Sequence, residues 1–127
     1  MVRTRAGELA DQLAVAHVLG DGPPGTGCPA IAAITGEARY LELAKRFSHR
    51  EILDPLLRGE DRLDGLHANT QIPKVIGFER IAELGGPLPW HQAAESFWKN
   101  VVDHRTVAIG GNSVREHFHS PDDFEPM

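Results

Sequence analysis

Ile34-Thr-Gly-Glu-Ala-Arg-Tyr-Leu-Glu-Leu-Ala-Lys-Arg-Phe47 and Leu84-Gly-Gly-Pro-Leu-Pro-Trp-His-Gln-Ala-Ala-Glu-Ser-Phe97 are two versions of one pattern. At an offset of 50, Ile34, Gly36, Tyr40, Ala44 and Phe47 recur as Leu84, Gly86, Trp90, Ala94 and Phe97. Each copy reads as an apolar helix, a glycine turn, an aromatic residue and an amphipathic helix. Two unrelated helices after glycine turns would share some of these positions by chance, but the order and content match throughout. A helical hairpin of this kind cannot bury its apolar face alone and stacks on neighbours. The period is too long for tetratricopeptide repeats at about 34 residues. It suits the helix pairs of an α-solenoid or of a closed α/α toroid.

Around these copies the helical period is 3.6. Residues 5–19 read as one helix, with Leu9, Leu13, Ala16, Val18 and Leu19 apolar. Gly20-Asp-Gly-Pro-Pro-Gly-Thr-Gly-Cys-Pro29 then breaks regular structure, because glycine and proline dominate it. Residues 30–36 form a short apolar helix stopped by Gly36. The next helix, Glu37 to Phe47, carries Tyr40, Leu41, Leu43, Ala44 and Phe47 on its apolar stripe. It continues, bent or broken, toward Leu57, limited by Pro55. Residues 58–66 are a polar loop, and the charge run Glu60-Asp-Arg62 within it reads as solvated. Helical pattern resumes from Ala68 to Leu84, with Pro73 expected in its first turn. Residues 90–104 form the last helix, with Trp90, Ala93, Ala94, Phe97, Trp98, Val101 and Val102 on one side. The aromatics Phe47, Trp90, Phe97 and Trp98 are expected in the core. Val107 to Ile109 reads as a short extended piece before a polar loop.

Composition narrows the classes. The 127 residues are 41% hydrophobic and 24% charged, as a folded globular domain is. Acids outnumber bases 18 to 13, for a net charge of −5 with histidine neutral, which disfavours nucleic acid as a partner. No apolar run approaches the roughly 18 residues that a membrane span needs. Glu8 and Asp11 interrupt any signal-peptide core, so the expected location is cytoplasmic. A single cysteine, Cys28, excludes an internal disulfide framework and a multi-cysteine metal cage made from this chain alone.

Two clusters could carry chemistry. Leu66-His-Ala-Asn-Thr-Gln-Ile-Pro-Lys74 places His67, Asn69, Thr70, Gln71 and Lys74 around one helix start. Asn69 or Thr70 alone could be an N-cap, and His67 alone an ordinary loop residue. Ile109-Gly-Gly-Asn-Ser-Val-Arg-Glu-His-Phe-His119 places Glu116 beside Phe118 and two histidines. A carboxyl against an aromatic can serve as a general acid; the bland alternative is a solvated glutamate. His117 and His119 make a His-x-His pair, a weak metal signal that would fit a histidine-based metallohydrolase. In the repeat, His67 plus 50 lands on His117, so the loops at 58–71 and 110–119 should leave the helix array at the same end and share one mouth.

These stretches, Leu63-Asp-Gly-Leu-His-Ala-Asn-Thr-Gln-Ile-Pro-Lys74, then Phe97-Trp98, then Ile109-Gly-Gly-Asn-Ser-Val-Arg-Glu-His-Phe118, resemble glycoside hydrolase family 127, the bacterial β-L-arabinofuranosidases. The resemblance spans roughly residues 30–125. It implies an all-α fold made of helical hairpins from an incomplete (α/α)6 toroid. Residues 30–127 would be a partial catalytic domain and residues 1–29 a degenerate helix and linker. It implies retaining hydrolysis of terminal β-L-arabinofuranosyl linkages, with a carbohydrate as partner. Glu116 takes the position of the family's acid/base. His67 falls in its sugar pocket, with Asn69, Gln71 and Asn112 as further substrate-binding candidates. The family's nucleophile is a zinc-bound cysteine thiolate, and its zinc ligands, a glutamate and three cysteines, lie downstream of the Gly-Gly-Asn-Ser motif. This chain reaches Met127 without them, so no cofactor is expected in the chain, no metal-ligating residue is assigned, and it should be inactive alone. The other expectation is a non-catalytic helical-repeat module that binds a sugar or a protein. Hairpins without all their neighbours would also leave apolar flanks open to self-association.

Overall fold

The computed structural model describes residues 24–127. The helix expected over 5–19 lies outside the described residues. The described chain is all-helical: α1 (Pro24–Thr35), α2 (Ala38–Arg46), α3 (Arg50–Leu57), α4 (Ala68–Glu83) and α5 (Leu88–Arg105). Beyond these, two isolated antiparallel bridges join His67 to His117 and Val114 to His117.

Helix α1 starts at Pro24, not at Ala30, so regular structure does occupy the second half of the Gly/Pro tract. A proline at the first helical position loses nothing, since that N–H has no intrahelical acceptor. Pro29 lies inside the helix and withholds one bond. Burial offsets that loss: Cys28 and Pro29 are both fully enclosed, and tertiary packing outweighs propensity in most helices. Gly36, at φ +69, ends α1 and donates its N–H to the Ala32 carbonyl at 2.9 Å.

Helix α2 buries Tyr40 and Ala44 as the stripe predicts. Phe47 does not join them. The helix stops at Arg46, Phe47 becomes its C-cap, and the ring leaves the helical register 43% exposed. Helix α3 is a separate element after the break at Ser48-His49, and it carries Pro55 inside it. Its end is a Schellman turn, with Gly59 N–H on the Leu56 carbonyl at 3.0 Å and Glu60 N–H on the Pro55 carbonyl at 2.9 Å.

Helix α4 buries Ala68, Gln71, Val75, Phe78 and Ile81 on one face. Pro73 sits in the second turn, not the first, and cannot bond the Asn69 carbonyl four residues back. Helix α5 buries Trp90, Ala93, Ala94, Phe97, Val101 and Arg105. Trp98 and Val102, expected on that side, are 67% and 37% exposed. Phe97 and Val101 hold the inward register, and Trp98 and Val102, each turned about 100° onward from them, leave the buried face. Val107 to Gly110 is a tight turn rather than an extended piece, closed by Gly110 N–H on the Val107 carbonyl at 2.8 Å.

Helix α1 packs on α2 and on α4, α4 packs on α5, and α3 packs on α5. The two hairpins therefore lie side by side, joined through α1 and α4. Phe78 meets Trp90 edge-on at 6.0 Å, and Phe97 meets Phe118 edge-on at 6.0 Å. The repeat survives at Tyr40 and Trp90, and at Ala44 and Ala94, all buried. It shifts at the turn, where Gly85 rather than Gly86 takes the positive φ of Gly36. This arrangement is consistent with an incomplete helical toroid. Among the described residues no helix is long and apolar enough to cross a membrane.

The two glycines behind α3 and α4 should respond differently to alanine. Gly59, at φ +71, has no atom within 4 Å of the point a Cβ would occupy, so Gly59→Ala should cost only the left-handed backbone penalty, about 1–2 kcal/mol. At Gly86 a Cβ would stand 2.5 Å from the Ile81 carbonyl oxygen, a backbone atom that cannot swing aside. Gly86→Ala should cost more, about 2–3 kcal/mol. Urea unfolding midpoints will rank them, and an equal or reversed ranking contradicts this geometry of the α4–α5 turn.

Candidate functional site

The loop between α3 and α4 folds inward on Leu63, which is 2% exposed. Asp61 stabilises its bend by accepting the Leu63 N–H at 3.1 Å. The segment after α5 returns to meet this loop as a short antiparallel ladder. Gly65 N–H donates to the Phe118 carbonyl at 2.8 Å, and Phe118 N–H to the Leu66 carbonyl at 2.9 Å. The two loops expected from the repeat to leave the array at one end therefore do meet there, and the ladder joins them.

At its tip, Val114 and His117 exchange both backbone hydrogen bonds around Arg115 and Glu116. Both central residues have positive φ, +47 and +71. That is the backbone of a type I′ hairpin, which usually recruits Asn or Gly. Strain of this kind persists only where the surroundings enforce it. Here the Glu116 carbonyl accepts the Ala68 N–H at 2.8 Å. The hairpin thus satisfies one of the free N–H groups at the start of α4. The N-cap is His67, without a side-chain cap, and neither Asn69 nor Thr70 takes that role.

This backbone brings two of the expected site residues together. His67 Nε2 lies 3.4 Å from Glu116 Oε2. The Thr70 hydroxyl is 3.2 Å from His67 Nδ1. With that hydroxyl donating, the imidazole proton sits on Nε2 and faces the carboxylate. His117 stands edge-on to His67 at 5.2 Å, with its Nδ1 2.8 Å from the Arg115 carbonyl. Asn69 is exposed in the first turn of α4, and Asn112 is half-buried in the loop before the hairpin. Gln71 is 6% exposed, and its Oε1 accepts from Lys74 Nζ at 3.0 Å.

The aromatic contact anticipated for Glu116 is absent. Phe118 turns into the core against Phe97, while the Glu116 side chain is 70% exposed. The His-x-His pair does not converge either. His117 faces the mouth, whereas His119 is buried, with its ring nitrogens 2.8 and 3.0 Å from the Ser120 and Arg105 carbonyls. Among the described residues no three His, Cys, Asp or Glu side chains are grouped to hold a metal. Cys28 is 1% exposed in the core, and burial pushes its thiol pKa up.

The two loops are anchored by residues outside the polar clusters around His67 and Glu116. Arg105 is fully buried and donates to Asp61 Oδ2 at 2.7 Å, Asp64 Oδ1 at 2.8 Å, and the His119 and Asn100 carbonyls at 2.7 and 3.1 Å. Ser120 donates to Asp64 Oδ2 at 2.6 Å. One guanidinium thus ties the loop before α4, the end of α5 and the returning segment together. Asp61 belongs to the run expected to be solvated; only Glu60 and Arg62 pair at the surface. A signal did exist, since Arg105 continues the buried series Phe97, Val101 in helical register.

Comparison with protein families places these motifs. The family model for the β-L-arabinofuranosidase GH127 catalytic domain matches residues 11–126. Among curated proteins, no match to the chain is found.

The anchor makes two measurable claims. Arg105→Met leaves Asp61 Oδ2, the buried His119 carbonyl and the partly buried Asn100 carbonyl without their donor and Asp64 with Ser120 alone, and should cost about 1–3 kcal/mol. Arg105→Lys should recover only part, because an ammonium cannot reproduce the planar fork. The Asp64 carboxyl is held below the usual aspartate range, first by the Ser120 hydroxyl and then by Arg105. A depressed folded-state pKa stabilises the fold above the unfolded value, about 3.9, and that contribution is lost as pH falls through the folded value. Thermal unfolding of Asp64→Asn should therefore show a lower Tm at pH 7 and a shallower acid limb below about pH 4. An unchanged acid limb would remove Asp64 from the anchor.

Proposed function

The chain belongs to the GH127 β-L-arabinofuranosidase catalytic-domain family, and from that premise we propose that it carries the acid/base wall of a retaining hydrolase of terminal β-L-arabinofuranosyl linkages. The observation that carries this reading is the pairing of Glu116 with His67, 3.4 Å apart across a ladder formed by the two family-like motifs. A departing glycosidic oxygen needs a proton, and a carboxyl at an open mouth can deliver it. In this reading Glu116 is the donor, and His67 holds the carboxyl toward the mouth. Asn69 and Asn112, on the two motifs, offer amides to sugar hydroxyls. Gln71 serves indirectly, since its amide oxygen is taken by Lys74.

Retention requires a nucleophile opposite the acid/base, and this chain's residues do not fit the zinc-thiolate that the resemblance implies. One cysteine cannot supply several thiolate ligands. That cysteine is enclosed in the core and kept as a thiol by burial, whereas the thiolate is the reactive form. We therefore assign this chain arabinofuranoside binding without turnover on its own. The purified protein, assayed on an aryl β-L-arabinofuranoside with and without zinc, should release no aglycone. Zinc-dependent release that Glu116→Gln abolishes would overturn that claim.

A second reading, a helical-repeat interaction module, is favoured by one feature. An apolar groove of about 370 Å3 runs between α4 and α5, bordered by Ile72, Val75, Ile76, Phe97 and Trp98. Ile76 and Trp98 are 60% and 67% exposed there. Sedimentation tests whether this face drives self-association: concentration-dependent association weakened by Trp98→Glu is expected, while a monomer with sharp cooperative unfolding counts against it.

A further inference from the structure

A second polar cavity, of about 430 Å3, opens where the end of α2, the start of α3 and the middle of α4 meet. Its wall includes Arg46, Phe47, His49, Arg50, Lys74 and Phe78. Three of these are cations, and no carboxylate is part of the lining. That is unusual in a chain with a net charge of −5. Arg50 is paired with Asp54. Lys74 has no carboxylate within ion-pair distance among the described residues. Its ammonium instead meets two neutral acceptors, Gln71 Oε1 at 3.0 Å and His49 Nδ1 at 2.8 Å.

That second contact decides the histidine's tautomer. An ammonium only donates, so His49 Nδ1 must accept and the ring proton sits on Nε2. Nε2 then faces Glu51 at 3.4 Å. The one nearby acid outside the Arg50 pair, Glu51, thus faces the histidine and acts on the Lys74 ammonium only from beyond ion-pair distance. Burial pushes the Lys74 pKa down by more than the Glu51 charge raises it, as expected for an ammonium partly withdrawn from water. The start of α3 adds to the field. Ile52 and Leu53 N–H both bond the His49 carbonyl, no side chain caps the helix, and the first two N–H groups have no intrahelical acceptor. Phe47, 43% exposed, gives the cavity an apolar face beside these donors.

We propose that this cavity binds an oxyanion carried on a sugar ring, with Arg46 and Lys74 as its charge partners and Phe47 against the ring. A uronate carboxylate and a sugar phosphate share that chemistry. Only the sugar part of the inference rests on the family reading; the anion part rests on the cations and the uncapped helix. Lys74 lies two turns along α4 from His67, about 10 Å, so the cavity is separate from the Glu116–His67 pair.

Titration of the full chain at low salt with D-glucuronate, glucose 6-phosphate and glucose tests this, read by calorimetry and by the His49 ring signals. At least one anion should bind saturably and shift His49, and glucose should not. Binding by glucuronate alone identifies the carboxylate as the source, and binding by glucose 6-phosphate alone identifies the phosphate. Arg46→Gln, at an exposed position, should weaken anion binding by about tenfold or more with an unchanged Tm. Lys74→Met should weaken it likewise, and Lys74→Arg should restore part of it. Binding of neither anion, equal binding of glucose, or wild-type affinity in Arg46→Gln overturns the proposal. Methyl β-L-arabinofuranoside reports the other site through the His67 and His117 ring signals, so failure there with anion binding intact strikes the family-substrate reading alone.

Discussion

The buried guanidinium of Arg105 is the constraint on which the rest of the mouth depends. It sits at the last position of α5 with no solvent exposure, and each of its nitrogens meets an oxygen. A buried cation without partners would be intolerable, so its partners are held as firmly as it is. Those partners are Asp61 and Asp64 from the loop before α4, and the His119 carbonyl from the segment after α5. The position at the C-terminal end of α5 also suits a cation electrostatically. The ion-pair network, with Leu63 and Phe118 beneath it, sets the relative position of the loop and the returning segment.

From that anchor the site follows by backbone geometry. Once Phe118 is fixed against Leu66 and Phe97, the preceding residues must turn within two positions to close the ladder. That forces Arg115 and Glu116 into left-handed backbone. Asn or glycine would accept this conformation with less strain. Glutamate there gives a carboxyl aimed at the mouth, and its carbonyl supports the first turn of α4. The same hydrogen bond that compensates the strain holds His67 opposite Glu116. Fold and candidate chemistry are joined at one peptide group.

Much of the helical array was legible in the sequence. The apolar period located α2, α4 and α5 to within a few residues, and the repeat placed the two chemical motifs at one end. Sequence pattern and structure part where periodicity carries no information. Phe47 and Trp98 were expected in the core because aromatics are usually buried, but one lies past a helix end and the other a step off the buried face. Pro24 and Pro29 argued against helix by local propensity, but Pro24 takes the first helical position, where it costs nothing, and burial overrode Pro29. Asp61 looked solvated because nothing in the loop sequence reveals an arginine 44 residues away. Glu116 was expected to be desolvated by Phe118, yet the hairpin turns the two side chains to opposite environments.

The sequence by itself determined an all-helical chain built of similar hairpins, and the two motifs that tie it to its family. It also determined, by a count of one cysteine, that these 127 residues alone do not supply several thiolate ligands. These are properties of spacing and composition, which a linear chain records directly. Only the tertiary structure decided that His67 meets Glu116, that Gln71 turns to Lys74, and that His117 and His119 part company. Only it revealed the Arg105 anchor and the cationic cavity beside α3. Each of these depends on contacts between residues far apart in sequence, where burial and charge pairing, not local preference, select the geometry.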